Sequence, residues 1–308
     1  MNNRVHQFLR VILYPLVLLR RNHDAYLRDR NPEKLFSLHF KRNTGRTLNI
    51  EKPSSLYDYI AYWEFRSDTS EWSRLSDKYS VREYIIGCGY GDCLPKLYGV
   101  WKKAEDVDFT LLPNAFAIKT NNASATNILV RDKTKMDEDA VRKQIKEWLA
   151  YDYGYHTCQP HYSKINPLVL AEEFLEESSP LQKDSLVDYK FMCIYGKPLY
   201  FQIMADRKAN SHSFKMMLYD IECHPHPEYL SSKHEFLDNN FPMPDLLDKM
   251  VEMAAVLSSP FPFVRVDLYE VNHHIVFGEM TFTPGFSTLN YSFWEMMGAR
   301  LRKLNNKN

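Results

Sequence analysis

The sequence predicts an α+β fold, on three observations. Residues 35–77 space their apolar positions as helices do, residues 116–205 alternate in short runs broken by polar linkers, and residues 263–285 read as a further strand pair. The chain has 308 residues, 44% of them hydrophobic. That is enough to bury about three quarters of the unfolded surface in one large or two smaller domains. Net charge is zero and the pI is about 7.2, so no global basic field marks a nucleic-acid binder. The five cysteines, Cys88, Cys93, Cys158, Cys193 and Cys223, are scattered and form no C-x-x-C pair. This argues against a disulfide framework or a zinc site and fits a reducing cytoplasm.

The first element is an apolar run, FLRVILYPLVLL at residues 8–19, bracketed by Arg4, Arg10, Arg20 and Arg21. It is shorter than the roughly 20 residues that a spanning helix needs, and no small-residue cleavage pattern follows. Two readings stand: a peripheral helix on the inner membrane face with its arginines at acidic headgroups, and a helix docked on the protein's own core. Next, Leu56, Tyr59, Ile60 and Trp63 sit at helical spacing behind a cap at Ser54 or Ser55. A helix over residues 77–85 runs into GCGYGD, read as a loop because it lacks the spacing and the following helix of a phosphate fingerprint. A short apolar segment, LPKLYGVW, follows.

FAIK at 116–119, TNNASAT and NILVRD read as strand, loop and strand, which leaves Lys119 at a strand end beside a flexible loop. A lysine so placed can reach phosphates; the plainer reading is an exposed edge lysine. Val141, Ile145, Trp148 and Leu149 then mark an amphipathic helix ending near Gly154. LVLAEEFLEE begins as a buried strand and turns acidic, with Glu172 and Glu173 at its exit. DYKFMCIYGKPLYFQIMADR reads as a hairpin around Gly196, Lys197 and Pro198, with Asp188 and Lys190 at one end and Asp206 and Arg207 at the other. Residues 211–243 are rich in His, Pro and Ser and receive no regular element. Their His212, His224, His226 and His234 lack a matching acidic or cysteine set, so a metal reading is set aside. Leu246, Leu247, Met250, Ala254 and Leu257 give a last helix before the final hairpin.

That hairpin, FVRVDLYEVNHHIVFGEMTFTPG, poses a physical question. Alternation puts Arg265, Asp267 and Tyr269 on one face, and a turn centred near His273 sets Asp267 across from Glu279. Two facing carboxylates cost roughly 0.2–1 kcal/mol in a sheet, and more when buried, unless a positive group sits between them. A metal ion or Arg265 can supply that charge.

The ordered motifs KLYGVW, FAIKTN, AEEFLEE, DYKFMCIYGKP, ADR, LSSPFPFVRVDLY and FGEMTFTPG resemble the TupA-like family of the ATP-grasp superfamily, which is associated with cell-surface polysaccharide genes. The resemblance covers about residues 76–300. DYKFMCIYGK also resembles the D-x-R-hydrophobic-G-G-K stretch of ribosomal-protein glutamate ligases. The resemblance implies an ATP-grasp fold with a helical N-terminal region. Its expected segments are an apolar and basic stretch at 1–30, an N-terminal domain at 31–112, a lid-like subdomain at 113–205 and a C-terminal subdomain with the metal hairpin at 206–308.

ATP and Mg2+ are the implied cofactors. Asp267, Glu279 and Thr281 would hold the metal, Thr281 standing where relatives commonly carry asparagine. Lys119 would meet the phosphates, Glu172 and Glu173 with the backbone near Leu175 the base, and Asp188 and Lys190 the nucleotide. Arg265, Arg207 and Lys190 would serve the reacting groups. TNNASAT lacks the glycines that relatives carry in this loop. The implied reaction is carboxylate-amine ligation through an acyl phosphate, on a polysaccharide, nucleotide-sugar or lipid-linked sugar with an amine co-substrate. A sugar kinase on the same fold and a non-catalytic assembly partner remain as alternatives. Which residues of 211–243 or 286–294 touch the acceptor is not fixed by the sequence, although Asn290, Tyr291 and Trp294 lie close after TPG.

Overall fold

Residues 18–176, 185–207, 213–238 and 241–305 are described in a computed structural model. The apolar run at 8–17 lies outside them, as does His212. The described chain opens with a helix over residues 18–30 (α1), on which Leu18, Leu19, Arg20 and Arg21 are exposed. No described helix is long and apolar enough to cross a membrane.

Four helices follow. α2 (Pro32–Thr44) is capped by Asn31, whose side chain accepts from the Lys34 amide at 2.9 Å. α3 (Leu56–Arg66) starts at Ser55 with a complete capping box: Ser55 Oγ accepts from the Asp58 amide at 3.2 Å, and Asp58 Oδ2 accepts from the Ser55 amide at 2.8 Å. α4 (Ser70–Ser76) and α5 (Val81–Gly87) are short. The helix expected from Asp77 therefore begins four residues later. Asp77 instead terminates α4 and accepts from the Tyr79 amide and the Ser80 hydroxyl, both at 2.8 Å. The C-terminal helix α10 (Tyr291–Asn305) packs on α3 so closely that a Cβ at Gly298 would strike the Ser54 carbonyl. Tyr57 meets Trp294 edge-on at 4.8 Å there.

Two sheets follow among the described residues, antiparallel except for one pair. The first has the order β1-β4-β2-β3, from β1 (Leu97–Trp101), β2 (Phe116–Thr120), β3 (Asn127–Val130) and β4 (Val169–Glu173). Helix α6 (Glu138–Ala150) buries Val141 and Ile145 in its core. α6 stops at Ala150, short of the expected Gly154, because Asp152 caps a new helix, α7 (Tyr153–Thr157); its carboxylate accepts from the Tyr155 amide at 2.9 Å. α8 (Pro160–Ser163) leads back toward β4.

The second sheet has the order β10-β9-β5-β6-β7-β8. Its strands are β5 (Asp188–Ile194), β6 (Lys197–Ala205), β7 (Lys215–Asp220), β8 (Glu235–Phe236), β9 (Val264–Val271) and β10 (His274–Thr281). Only the β7–β8 pair is parallel. α9 (Leu247–Ser258) buries Met250, Met253, Ala254 and Leu257 against the same core. Residues 211–243, which received no element from sequence, contain β7: Lys215-Met216-Met217-Leu218-Tyr219-Asp220 is apolar in its middle, but the histidines and prolines that follow mask it. The segment boundaries expected at 112/113 and 205/206 do not coincide with the sheets. β1 joins the sheet of β2 to β4, and β5 and β6 share the sheet of β9 and β10.

Candidate functional site

The β9–β10 hairpin turns tightly on Asn272 and His273, both in the left-handed region at φ 49° and 61°. Pairing then runs from Val271 opposite His274 to Leu268 opposite Phe277. Continued without a break, it would bring Gly278 opposite Asp267. An irregularity at Gly278 inserts one residue, and Glu279 pairs with Asp267 instead. Glycine suits the spot because a Cβ would lie 2.9 Å from the Asp267 carbonyl oxygen and from the Tyr269 ring. The sequence reading reached the right pair through a wider turn and missed the bulge.

Arg265 answers the repulsion between the two acids. Its Nε donates to Asp267 Oδ1 at 2.6 Å, and its Nη2 donates to Asp267 Oδ2 at 2.7 Å, Glu279 Oε1 at 2.9 Å and Thr281 Oγ1 at 3.0 Å. One nitrogen thus stands where three oxygens converge. Two carboxylates and a hydroxyl are hard donors, so the residues present fit a small divalent cation, provided the guanidinium shifts aside. β5 lies next to β9 with Lys190 opposite Asp267, and the Lys190 ammonium bridges Asp267 Oδ2 and Asp188 Oδ1. Arg207 adds two bonds to Asp188 Oδ2, at 3.0 and 2.7 Å. Burial raises the Asp188 carboxyl, but Lys190 and Arg207 outweigh it and hold the pKa down at about 2. Burial likewise opposes the Glu279 anion, and Arg265, Lys190 and Lys78 bring its pKa below the usual range. For Asp267 burial prevails, and its carboxyl is pushed up despite both cations.

A cavity of about 620 Å³ lies between the sheets. Lys119, Glu172, Glu173, Leu175, Asp188, Lys190, Arg207, Arg265, Asp267 and Glu279 line it, while Thr281 reaches it only through Arg265 and Glu279. On the first sheet, Glu172 is held by Lys119 Nζ at 2.7 Å and Arg82 Nη1 at 3.2 Å. That carboxylate is 4% exposed, and Phe174, Leu175 and Glu176 line the cavity beside it. Glu173 accepts from the Lys96 amide at 3.3 Å.

Sequence reasoning missed Lys78, Arg82, Phe174 and Gln202, which also line the cavity. Lys78 and Arg82 lie on or beside a short helix in the N-terminal region, where nothing in one sequence separates a cavity lysine from a surface one. The Lys78 ammonium donates to the Ala123 carbonyl, and burial pulls its pKa down. Gly285 of TPG and Thr288 line the cavity, whereas the three residues noted after TPG do not: Trp294 is fully buried in the core, Tyr291 packs on Phe40 and Asn290 donates to the Glu228 carbonyl. His224 and His226 pair with Asp220 on the far side of the sheet from β9. Among the described residues, the one group of three convergent His, Cys or acidic donors is Asp245, Glu270 and His273, at the hairpin turn.

Three solved structures similar to this chain are distant from it in sequence. The D-alanine–D-alanine ligase from Bacillus anthracis is 14% identical, with 75% of this chain and 70% of that chain covered and a TM-score of 0.45. The ATP-grasp ligase PsnB with its minimal precursor is 9% identical, with coverage of 78% and 62% and a TM-score of 0.44. The L-amino acid ligase from Bacillus licheniformis is 12% identical, with coverage of 83% and 53% and a TM-score of 0.43. A comparison with curated proteins gives no match. The family described as TupA-like ATP-grasp matches residues 60–302, which takes in both sheets and every residue placed around the cavity. On that match the chain belongs to the TupA-like ATP-grasp family.

Proposed function

We propose that this chain is an ATP-dependent carboxylate-amine ligase that works through an acyl phosphate. The observation that carries the reading is the convergence of Asp267, Glu279 and Thr281 on Arg265 Nη2, in a cavity that also holds Lys119 and Lys190. Oxygen donors for a cation and fixed positive charge for phosphates are what phosphoryl transfer requires. Mg2+ bound by Asp267, Glu279 and Thr281 would neutralise charge on the phosphate oxygens.

In this reading the main chain near Leu175 takes the base, and Lys119, Lys190 and Lys78 take phosphate charge. A substrate carboxylate oxygen attacks the γ phosphorus, the bond to the β–γ bridging oxygen breaks and ADP leaves. The amine nitrogen then attacks the acyl carbon, the bond to the phosphate oxygen breaks, phosphate leaves and the nitrogen gives up a proton. With a cation held by the acids, Arg265 would be free to face the charge that develops at each transfer. No side chain forms a covalent bond. Gly285 and Thr288 bound the end where the acceptor enters.

The resemblance to polysaccharide-associated relatives supports a sugar acid, as a polysaccharide, nucleotide-sugar or lipid-linked precursor, joined to an amino acid or amino sugar. Exposed Leu18, Leu19, Arg20 and Arg21 support a peripheral contact with an acidic membrane surface near such a substrate. The test is ADP release by the purified chain, screened over sugar acids with and without amines. Release that requires both, and that falls about 10²–10³-fold in Asp267→Asn, is expected. Release independent of amine would make the chain a kinase, and unchanged release in Asp267→Asn would overturn the site.

A further inference from the structure

The loop over residues 120–126 contains no glycine, yet its Ser124, Ala125 and Thr126 line the cavity. A segment that must fold down over a ligand needs pliable backbone, which glycine provides. This loop is instead tied down through Thr120, Asn121, Ala123 and Thr126, while the buried Oδ1 of Asn122 has no partner. The Asn121 side chain is fully buried; its Nδ2 donates to Asp77 Oδ1 at 2.8 Å and to the Asn166 carbonyl at 3.0 Å, and its Oδ1 accepts from the Leu168 amide at 2.7 Å. Its main chain donates to the Leu168 carbonyl at 3.1 Å and accepts from the Lys78 amide at 3.3 Å. Thr120 Oγ1 donates to Thr126 Oγ1 at 2.8 Å and the Thr120 amide to the Thr126 carbonyl at 3.2 Å, closing the base of the loop. The Lys78 ammonium holds the Ala123 carbonyl, and Ala125 already occupies the left-handed region at φ 60°.

We infer that this loop is a preformed phosphate cradle, and that Asn121 is the positioning residue that sets it and Lys78 together before nucleotide arrives. The inference rests on the nucleotide reading above. One buried amide ties the α4–α5 linker, the β2–β3 loop and the approach to β4, so the cradle and the Lys78 charge share one anchor. Fixing these groups in advance spares the ordering entropy that binding would otherwise cost.

The experiment is hydrogen exchange at Lys78, Asn121 and Leu168, with and without a non-hydrolysable ATP analogue and Mg2+, together with calorimetric affinity for that analogue. In the wild type the three amides are expected to be protected without nucleotide and to change little when it binds. Asn121→Ala is expected to weaken analogue binding about tenfold or more, the loss of one or two charge-assisted bonds' worth of order. Thr120→Val, which is isosteric and touches no cavity wall, keeps the question open to test if Asn121→Ala fails to fold. Its expected signature is faster exchange in the loop and weaker binding at a temperature where the fold is intact. Asp77→Asn combined with Asn121→Asp reverses donor and acceptor and is expected to recover part of the affinity that Asn121→Asp loses; a merely structural asparagine would give no such recovery in affinity. Amides that exchange freely until nucleotide binds, or variants that bind as tightly as wild type, would overturn the cradle. A protected loop in a chain that binds no analogue would overturn the nucleotide reading instead.

Discussion

Asp188 shows how charge at the site and stability of the fold are joined. Its pKa stands at about 2 against an ordinary 3.8, so the ionised form is favoured in the folded chain. A carboxyl with a depressed folded pKa stabilises the fold above its unfolded pKa, and that stabilisation fades as pH falls through the folded value. The shift corresponds to about 2 kcal/mol, present above about pH 4 and lost between about pH 4 and pH 2. Asp188→Asn is therefore expected to cost stability in urea at pH 7, with the difference from wild type shrinking as the pH is lowered toward 2; a difference independent of pH would contradict the assignment. Lys78 is the opposite case. It is a half-buried cation whose ammonium donates to a carbonyl, and burial outweighs the pull of Glu279, Glu172 and Asp77 on its charge, so part of its desolvation goes unrepaid within the free protein. Lys78→Met is expected to leave the melting temperature unchanged or higher while weakening ATP-analogue affinity about tenfold, both read by calorimetry.

The hairpin makes the next step upward, because a residue pair means nothing until a register places it. A turn on Asn272 and His273 would by itself set Asp267 against Gly278, and the bulge moves Glu279 into place. Gly278→Ala puts a methyl group 2.9 Å from main chain on the partner strand. It is expected to cost about 1–3 kcal/mol and to abolish analogue binding by displacing Glu279. Gly285→Ala, with nothing within 4 Å of the added carbon, should leave stability untouched. Equal losses of stability in the two variants would show that the bulge is not what fixes the register. The same hairpin marks the limit of what was legible in the sequence. Alternation revealed both strands and the facing acids, and β2, β3 and α9 were equally plain from periodicity and turn chemistry, while the cap of α3 was narrowed to Ser54 or Ser55. Bulges escape such reading because one inserted residue leaves the local pattern almost intact. β7 escaped because its apolar run is brief and the following histidines and prolines dominate the composition. Lys78, Arg82 and Gln202 escaped because only tertiary packing brings a helical region and a mid-strand amide to the cavity wall.

At the scale of the whole molecule, the described residues form two apolar cores. One is shared by the helical region, α9 and the six-stranded sheet; the other, much smaller, lies between the four-stranded sheet and α6. The contacts named across the boundary are polar: Arg82 with Glu172, Asn121 with Asp77, the Lys164 ammonium with Thr69 Oγ1 at 3.1 Å, and Asn272 Nδ2 with the Glu176 carbonyl at 3.0 Å. Burial of apolar area supplies most of the stability of a folding unit, so a unit with a small core and a polar seam opens at lower free energy than the rest. The cavity spans this seam, with Lys119 and Leu175 on one side and Lys190 and Asp267 on the other. Two unfolding transitions are therefore expected in urea without ligand, the first belonging to the four-stranded sheet. Ile145→Ala, which empties the smaller core, should lower the first transition by about 2–5 kcal/mol and spare the second. A bound ATP analogue holds both sides and stabilises only the state in which they meet, so at about 100 times its dissociation constant it should raise the first transition by about 2.7 kcal/mol and draw it toward the second. Circular dichroism followed alongside tryptophan fluorescence separates the two, since Trp101 packs on the small core and Trp148 lies on α6, while Trp63, Trp72 and Trp294 belong to the large core. A single transition that both probes share, shifted as a whole by Ile145→Ala, would mean that the polar seam couples the sheets as firmly as a common core, and that nucleotide enters a rigid cleft.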